Sequence, residues 1–248
     1  MALKDEVSVY DRAKVSVDTG EIESYDIAIF RNVIRKREID LILSEFQAVK
    51  PERILDFGCG GGWLSRILSR YDCWVVGIDI SRSLIASAKR SAPKASFVVG
   101  DCMNLPFKEG VFDTVVSIGT LHHVDIRKGL KEIRRILKNR GTLLLMEPNK
   151  LNPLSAIGRK LFPMETHTMG EEPFIPNRLR SYLVLQGFKV KSVRFFFFFS
   201  FPLARMLKLI NRPSIPSFLV YMVDVVERLF EHLPILNFLN STIVVLAK

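Results

Sequence analysis

The chain has few cysteines and no long apolar run. Cys59, Cys73 and Cys102 are the only cysteines in 248 residues, an odd number without paired spacing. That argues against a disulfide framework and points to a reducing interior. There is no C-x-x-C and no His–Cys cluster, so no metal site is expected. No uninterrupted apolar stretch approaches the ~20 residues that span a bilayer. The opening MALKDEVSVYDRAK lacks an apolar h-region, so no signal peptide is expected and a cytoplasmic location is. Acidic residues are missing from one long stretch: between Glu172 and Asp224 there are eight Lys or Arg and no Asp or Glu.

What is present is basic and apolar. The net charge is +10 and 48% of residues are hydrophobic, enough for a sizeable core. Residues 1–50 hold 8 basic and 10 acidic residues, residues 51–150 hold 16 and 10, and residues 151–248 hold 12 and 6. The excess is either a solvated surface or a face that meets anions, such as lipid headgroups, a phosphorylated substrate or nucleic acid.

The stretch ILDFGCGGGWLS, Ile54 to Ser65, carries the most information. A short apolar run, as in a strand covered on both faces, leads into a glycine loop and a helix of roughly residues 62–71. Glycine turns without a φ > 0 penalty and lets a ligand reach the backbone, and the helix N-terminus offers free N–H groups at the same spot. The pattern is Asp56-x-Gly58-x-Gly60-x-Gly62, not the G-x-G-x-x-G of a dinucleotide loop. A carboxylate two residues before the first glycine repels a pyrophosphate and suits a ligand with positive charge near the loop. Further matches follow in order: WVVGIDIS (Trp74–Ser81), FVVGDCMNLPF (Phe97–Phe107), FDTVVSIGTLHHV (Phe112–Val124) and GTLLLMEPN (Gly141–Asn149).

From about Arg53 to Asn149 the sequence resembles the class I S-adenosylmethionine (SAM)-dependent methyltransferases, in particular the broad group that includes ubiquinone and menaquinone biosynthesis enzymes. The resemblance implies an α/β fold: a Rossmann-like seven-stranded, mostly parallel sheet with an antiparallel last strand and helices on both faces. It implies an N-terminal helical lid over 1–50, a SAM-binding core over 51–150, and a C-terminal part over 151–248 that completes the sheet and caps the substrate with an insertion. It implies SAM as cofactor and S-adenosylhomocysteine as product. Asp56, Gly58, Cys59 and Gly60 would form the loop around SAM. Asp79, with Ile80 beside it, would accept the ribose hydroxyls. Asp101, Cys102 and Met103 would sit at the adenine, and Ser117 and Gly119 under the methionine part. Tyr25 resembles an aromatic that such families place beside that moiety, against a plain lid-packing role.

Three residues are candidates for acceptor chemistry. His122 and His123, ending the fourth strand, would act as a base or orient a substrate oxygen, or be structural; the sequence does not choose between them. Glu147 is a weaker candidate base or amine ligand. The strand end SIGTLHHV lacks the Asn/Asp-Pro-Pro-aromatic motif of nucleic-acid amino methyltransferases, which disfavours nucleic acid. The expected acceptor is a small or lipid-like molecule; the alternatives are an RNA or protein methyltransferase and a non-enzymatic SAM-binding module.

Local patterns predict further elements. Apolar spacing gives a helix over 21–49, broken in the middle, and helices over 82–91, 125–139 and 177–186, with Ser81 as an N-cap. The 125–139 helix is basic, with a solvated outer face. Residues 150–176, punctuated by prolines, suggest a loop or short helices over the site. Residues 188–201 predict an extended strand carrying Phe195 to Phe199, and 241–247 the last strand. Between them lie the basic amphipathic LARMLKLI and a helix over 217–232 whose apolar residues exceed one core stripe. That helix is either buried on two sides, a homodimer contact, or an apolar patch for a lipid substrate or an anionic membrane surface.

Overall fold

The computed structural model describes residues 27–161, 172–210, 215–233 and 237–248. Seven strands form one sheet: β1 (Arg53–Phe57), β2 (Trp74–Asp79), β3 (Ser96–Val99), β4 (Phe112–Ile118), β5 (Leu137–Pro148), β6 (Val190–Phe196) and β7 (Thr242–Ala247). Their order is β3-β2-β1-β4-β5-β7-β6. β1 to β5 pair in parallel, and β7 runs antiparallel between β5 and β6.

Period-2 alternation divides the core. Leu55 and Phe57 of β1 and Val115 of β4 face one layer, where α4 (Ile126–Ile136) and α6 (Pro176–Leu185) supply Leu130, Ile133, Leu179 and Leu183. Ile54, Val116 and Leu144 face the other, against Ile42 of α1 (Lys36–Val49) and Leu64 and Leu68 of α2 (Trp63–Leu68). The expected mixed sheet with helices on both faces is present. α3 (Arg82–Ser91) follows β2, and Ser81 accepts the Leu84 N–H at 3.2 Å, as its N-cap role requires.

From residue 28 the chain before α1 is helical and underwound: Phe30–Arg35 forms a π-helical stretch that runs on into α1, so the break expected in the middle is a change of winding and not an interruption. Residues 1–26, with Tyr25, lie outside the described residues. α2 is shorter than expected, stopping at Leu68. α4 ends at Ile136 because Leu137 already pairs with Phe112, so β5 begins four residues before the expected Gly141. The outer face of α4 is solvated at Arg127, Lys128 and Lys131, as expected. Arg135 instead donates to the carbonyls of Leu105 and Phe107 at 2.9 and 2.7 Å and to Glu132, and Lys138, at the start of β5, pairs with Asp113 at 2.6 Å.

The strand expected over 188–201 is the main departure. β6 ends at Phe196 and is an edge strand. Phe197 turns into the left-handed region at φ 66°, and α7 (Ser200–Leu209) starts three residues later. A helix here costs backbone strain at Phe197. The bonds that offset it come from α8 (Ser217–His232). Glu227 accepts the N–H groups of Phe198, Phe199 and Ser200 and the Ser200 hydroxyl, and Glu231 accepts the Phe197 N–H. The Phe197 carbonyl takes the Ser241 N–H at 2.9 Å. Phe197 then joins a third core with Ile29, Phe30, Val33, Ala204 and Leu207, while Phe198 and Phe199 pack against the Phe230 ring.

After β5, α5 (Pro153–Leu161) gives the short helix expected in the proline-rich segment. Its start is tied to the entry of β7 by buried polar groups. The Asn149 side-chain amide donates to the carbonyls of Phe238 and Asn240, and Ser155 and Ser241 share a 2.7 Å hydroxyl contact.

Candidate active site

β1 continues into β2 on one side of the sheet and β4 into β5 on the other, so the strand order reverses between β1 and β4. A crevice opens at the C-terminal ends of strands at such a point. The ends of β1, β2, β4 and β5 bring most of the candidate residues here, with Asp101 just beyond β3.

The glycine loop is held by β2. Gly58 and Cys59 both donate to the Ile78 carbonyl at 2.9 Å, and Gly60 donates to Asp79 Oδ2 at 2.9 Å. Gly58, Gly60 and Gly62 all have positive φ, 72°, 52° and 85°. Their reasons differ. A Cβ on Gly58 would sit 2.2 Å from Thr120 Oγ1, so here the β1 and β4 loops touch. A Cβ on Gly60 would meet nothing within 4 Å, which leaves the backbone at this point open to approach. The Cys59 side chain is buried towards β2 and its thiol is pushed well up by burial; only its backbone lines the loop.

Asp79 is the hub of the loop. Its carboxylate accepts the N–H groups of Gly60, Ile80 and Ser81. Burial raises its pKa, while these donors and the nearby His123 pull it back. Asp101 closes a tight turn, accepting the Met103 N–H at 2.7 Å. Cys102 points into the core. Ser117 is fully buried, and its hydroxyl has no hydrogen-bond partner among the described residues. Gly119 takes φ 63° and donates to the Met146 carbonyl.

Asp56 is used differently from the expectation. Its carboxylate turns to the start of α2, where Oδ2 accepts the Ser65 N–H at 3.1 Å and the Ser65 hydroxyl at 2.7 Å. It is 4% exposed, and burial lifts its pKa from 3.8 to about 7 against those two bonds. A ligand would feel it through its field rather than by contact. Ser65, nine residues on, was not singled out in the sequence, although its place in the first turn of α2 is the signal.

The two histidines differ in their partners, and His122 meets a carboxylate. His122 Nδ1 lies 2.8 Å from Glu147 Oε2, and Glu147 Oε1 accepts the N–H groups of Leu121 at 2.8 Å and Thr120 at 3.2 Å. Glu147 is 1% exposed; it positions the 120–122 turn and does not stand open as a base. The ring of His123 packs on that of His122, with centroids 4.0 Å apart, and its charge is near enough to act on Asp79. Sequence alone showed neither this difference nor Arg35, whose guanidinium stacks 3.5 Å from the Trp63 ring at the head of α2.

The groups present suit a ligand with a ribose and a cationic end. Asp79 can accept hydroxyls, Gly60 exposes backbone, and Asp56 and Asp79 put negative field at the loop.

Residues 55–145 match the methyltransferase domain family. A demethylmenaquinone methyltransferase of Thermotoga maritima is 37% identical over 116 residues, 46% of this chain and 49% of that protein. An uncharacterized protein of Methanocaldococcus jannaschii is 39% identical over 113 residues, 46% of this chain and 48% of its own. The chain thus spans about half the length of these curated relatives. Among solved structures, the PH0226 protein of Pyrococcus horikoshii shares the fold, with a TM-score of 0.58 at 19% identity, covering 87% of this chain and 90% of its own. By this match, residues 55–145, with the strand order and glycine loop that they carry, form a methyltransferase domain.

Proposed function

We propose that the chain transfers a methyl group from SAM to a small-molecule or lipid-like acceptor. The observation that carries this reading is the contact of Gly60 with Asp79 at the reversal point of the sheet: it puts open loop backbone and a hydroxyl acceptor side by side. Asp79 already accepts three N–H groups and keeps about one of its four lone-pair sites for a ribose hydroxyl. The Asp101–Met103 turn would flank the adenine and Gly119 the methionine part, with the fully buried Ser117 supporting that floor from beneath. SAM, when bound, supplies a methyl group already activated on a sulfonium, so the protein mainly positions and desolvates.

His122 is the better candidate of the two histidines for work on the acceptor. Glu147 accepting from Nδ1–H selects the tautomer whose basic nitrogen is Nε2, which can hold a proton leaving the acceptor. His123 lies against the His122 ring and acts on Asp79 through its charge. The named activity of the Thermotoga relative, on a demethylmenaquinone, supports a lipid-like acceptor.

Calorimetric titration with SAM tests the core of the reading. Asp79→Ala should weaken binding by about 10- to 100-fold, the loss of one charge-assisted hydrogen bond; unchanged affinity would overturn the assignment. Transfer of labelled methyl from SAM into a cell extract, separated into lipid, RNA, protein and small-molecule fractions, tests the acceptor class. Label confined to RNA or protein would retire it.

A further inference from the structure

α8 is amphipathic the wrong way round for a helix on a soluble domain. Its three acids lie on the side that meets the protein. Glu227 is fully buried on the Phe198–Ser200 turn, Glu231 binds Arg37 and the Phe197 N–H, and Asp224 pairs with Arg37 at 3.7 Å and with Arg228 at 3.0 Å. Successive residues turn by about 100°, so these three cluster on one face with Val220, which packs into the third core. The opposite face carries Phe218, Met222 and Leu229, which are 65%, 50% and 62% exposed. Leu219, Tyr221 and Leu233 extend it, each at least 40% exposed. The polar face is bonded inward, so the outward apolar face is a consequence of how the helix is held and not of loose docking.

The charge pattern selects what meets it. The acids of α8 are spent inside, and no Asp or Glu occurs from residue 173 to residue 223, where eight Lys or Arg do. On α7, next to the same third core, Lys208 is exposed with Met206 and Ile210. Arg228 is exposed at the edge of the apolar face, as is Tyr221. An apolar strip edged by the exposed Arg228 and the amphipathic ring of Tyr221, on a chain of net charge +10, matches the boundary of an anionic bilayer, with the apolar side chains among acyl chains and the polar tips at headgroup level. A second copy of a chain with net charge +10 would bring like charge to the same border. No helix among the described residues is long and apolar enough to cross a membrane, and α8 would lie on the surface.

We propose that the outward face of α8 seats this protein on an anionic lipid surface. The proposal concerns a surface on the far side of α8 from its own buried acids and does not depend on methyl transfer.

The test is flotation of the full chain with phosphatidylcholine vesicles, with and without one quarter phosphatidylglycerol. The expected result is flotation with the anionic vesicles, falling as salt rises. Phe218→Ser with Leu229→Ser should weaken that binding about tenfold or more while leaving SAM affinity unchanged. Met222→Glu, which places an acid on an exposed position, should do the same if the double variant folds poorly. Absence of flotation with anionic vesicles would overturn the proposal. So would equal flotation of the variants, or a dimer in sedimentation analysis that these same substitutions disperse. Because SAM affinity is measured on the same samples, failure of the surface and failure of the methyltransferase reading are distinguishable.

Discussion

Asp56 should make the protein less stable as pH rises through neutrality. Its pKa is about 7 in the fold against an ordinary 3.8, and desolvation is the main cause. A folded pKa above the unfolded value means that the fold binds the proton more tightly. The stabilisation is therefore complete below about pH 3.8 and is lost as pH rises through about 7. Between about pH 5 and pH 8 the change from this one group is about 2–3 kcal/mol at 1.36 kcal/mol per unit. In a chain of this size that is roughly 5–10 °C in melting temperature. Asp56→Asn keeps an oxygen to accept from the Ser65 N–H and hydroxyl and removes the titration. The assay is urea unfolding of both proteins across that range. The difference between their stabilities should change by about 2–3 kcal/mol and bend near pH 7. A constant difference at all pH values would refute the reasoning. The site adds a second readout: a cationic ligand near the loop favours ionised Asp56, so SAM should bind more tightly as pH passes 7, and Asp56→Asn should lose that dependence.

Other perturbations separate the roles further. Glu227→Ala removes the acceptor for three N–H groups and a hydroxyl and should cost about 3–5 kcal/mol in denaturant unfolding. Glu227→Gln should cost less than half of that, and protease cleavage at Phe197–Ser200 should rise in the alanine variant first. Gly60→Ala meets no atoms but must hold φ 52°, so it should fold with a loss of about 1–2 kcal/mol and weaker SAM binding. Gly58→Ala collides with Thr120 and should be destabilised more than Gly60→Ala in the same melts. Glu147→Gln and His122→Ala should lower turnover at least tenfold without changing SAM affinity, while His123→Ala should act chiefly on SAM affinity. Equal effects of the two histidines on both readouts would remove the division drawn between them.

The parts of the fold legible in the sequence are those where local pattern and global need agree. Ile54–Phe57 could only be a strand covered on both faces, and the glycines after it could only be a loop. Ser81 announced α3 because an N-cap works within three residues of itself. The ends of strands β2 and β3 at Asp79 and just before Asp101 followed from the same apolar-to-acidic switch. What could not be read was any partnership across the chain. Asp56 has the right residue type for a ligand contact, and only its pairing with Ser65 shows that it faces a helix instead. His122 and His123 are adjacent and chemically identical; they differ because Glu147, far along the chain, reaches one of them.

The run Phe195 to Phe199 shows why such partnerships override local preference. Five aromatic residues favour an extended chain, and nothing local turns Phe197 left-handed. The turn exists because carboxylates some 30 residues later offer acceptors for four consecutive N–H groups, from Phe197 to Ser200. A straight strand would leave Glu227 buried without those donors, at a cost larger than the strain of one residue. The same exchange decides how α8 lies: a helix whose acids must go inward has to turn its phenylalanine and leucines outward. The strand break and the exposed apolar face are therefore one event, and Glu227→Ala should alter both together, loosening the turn and weakening vesicle binding while the glycine loop and its affinity for SAM stay as they are.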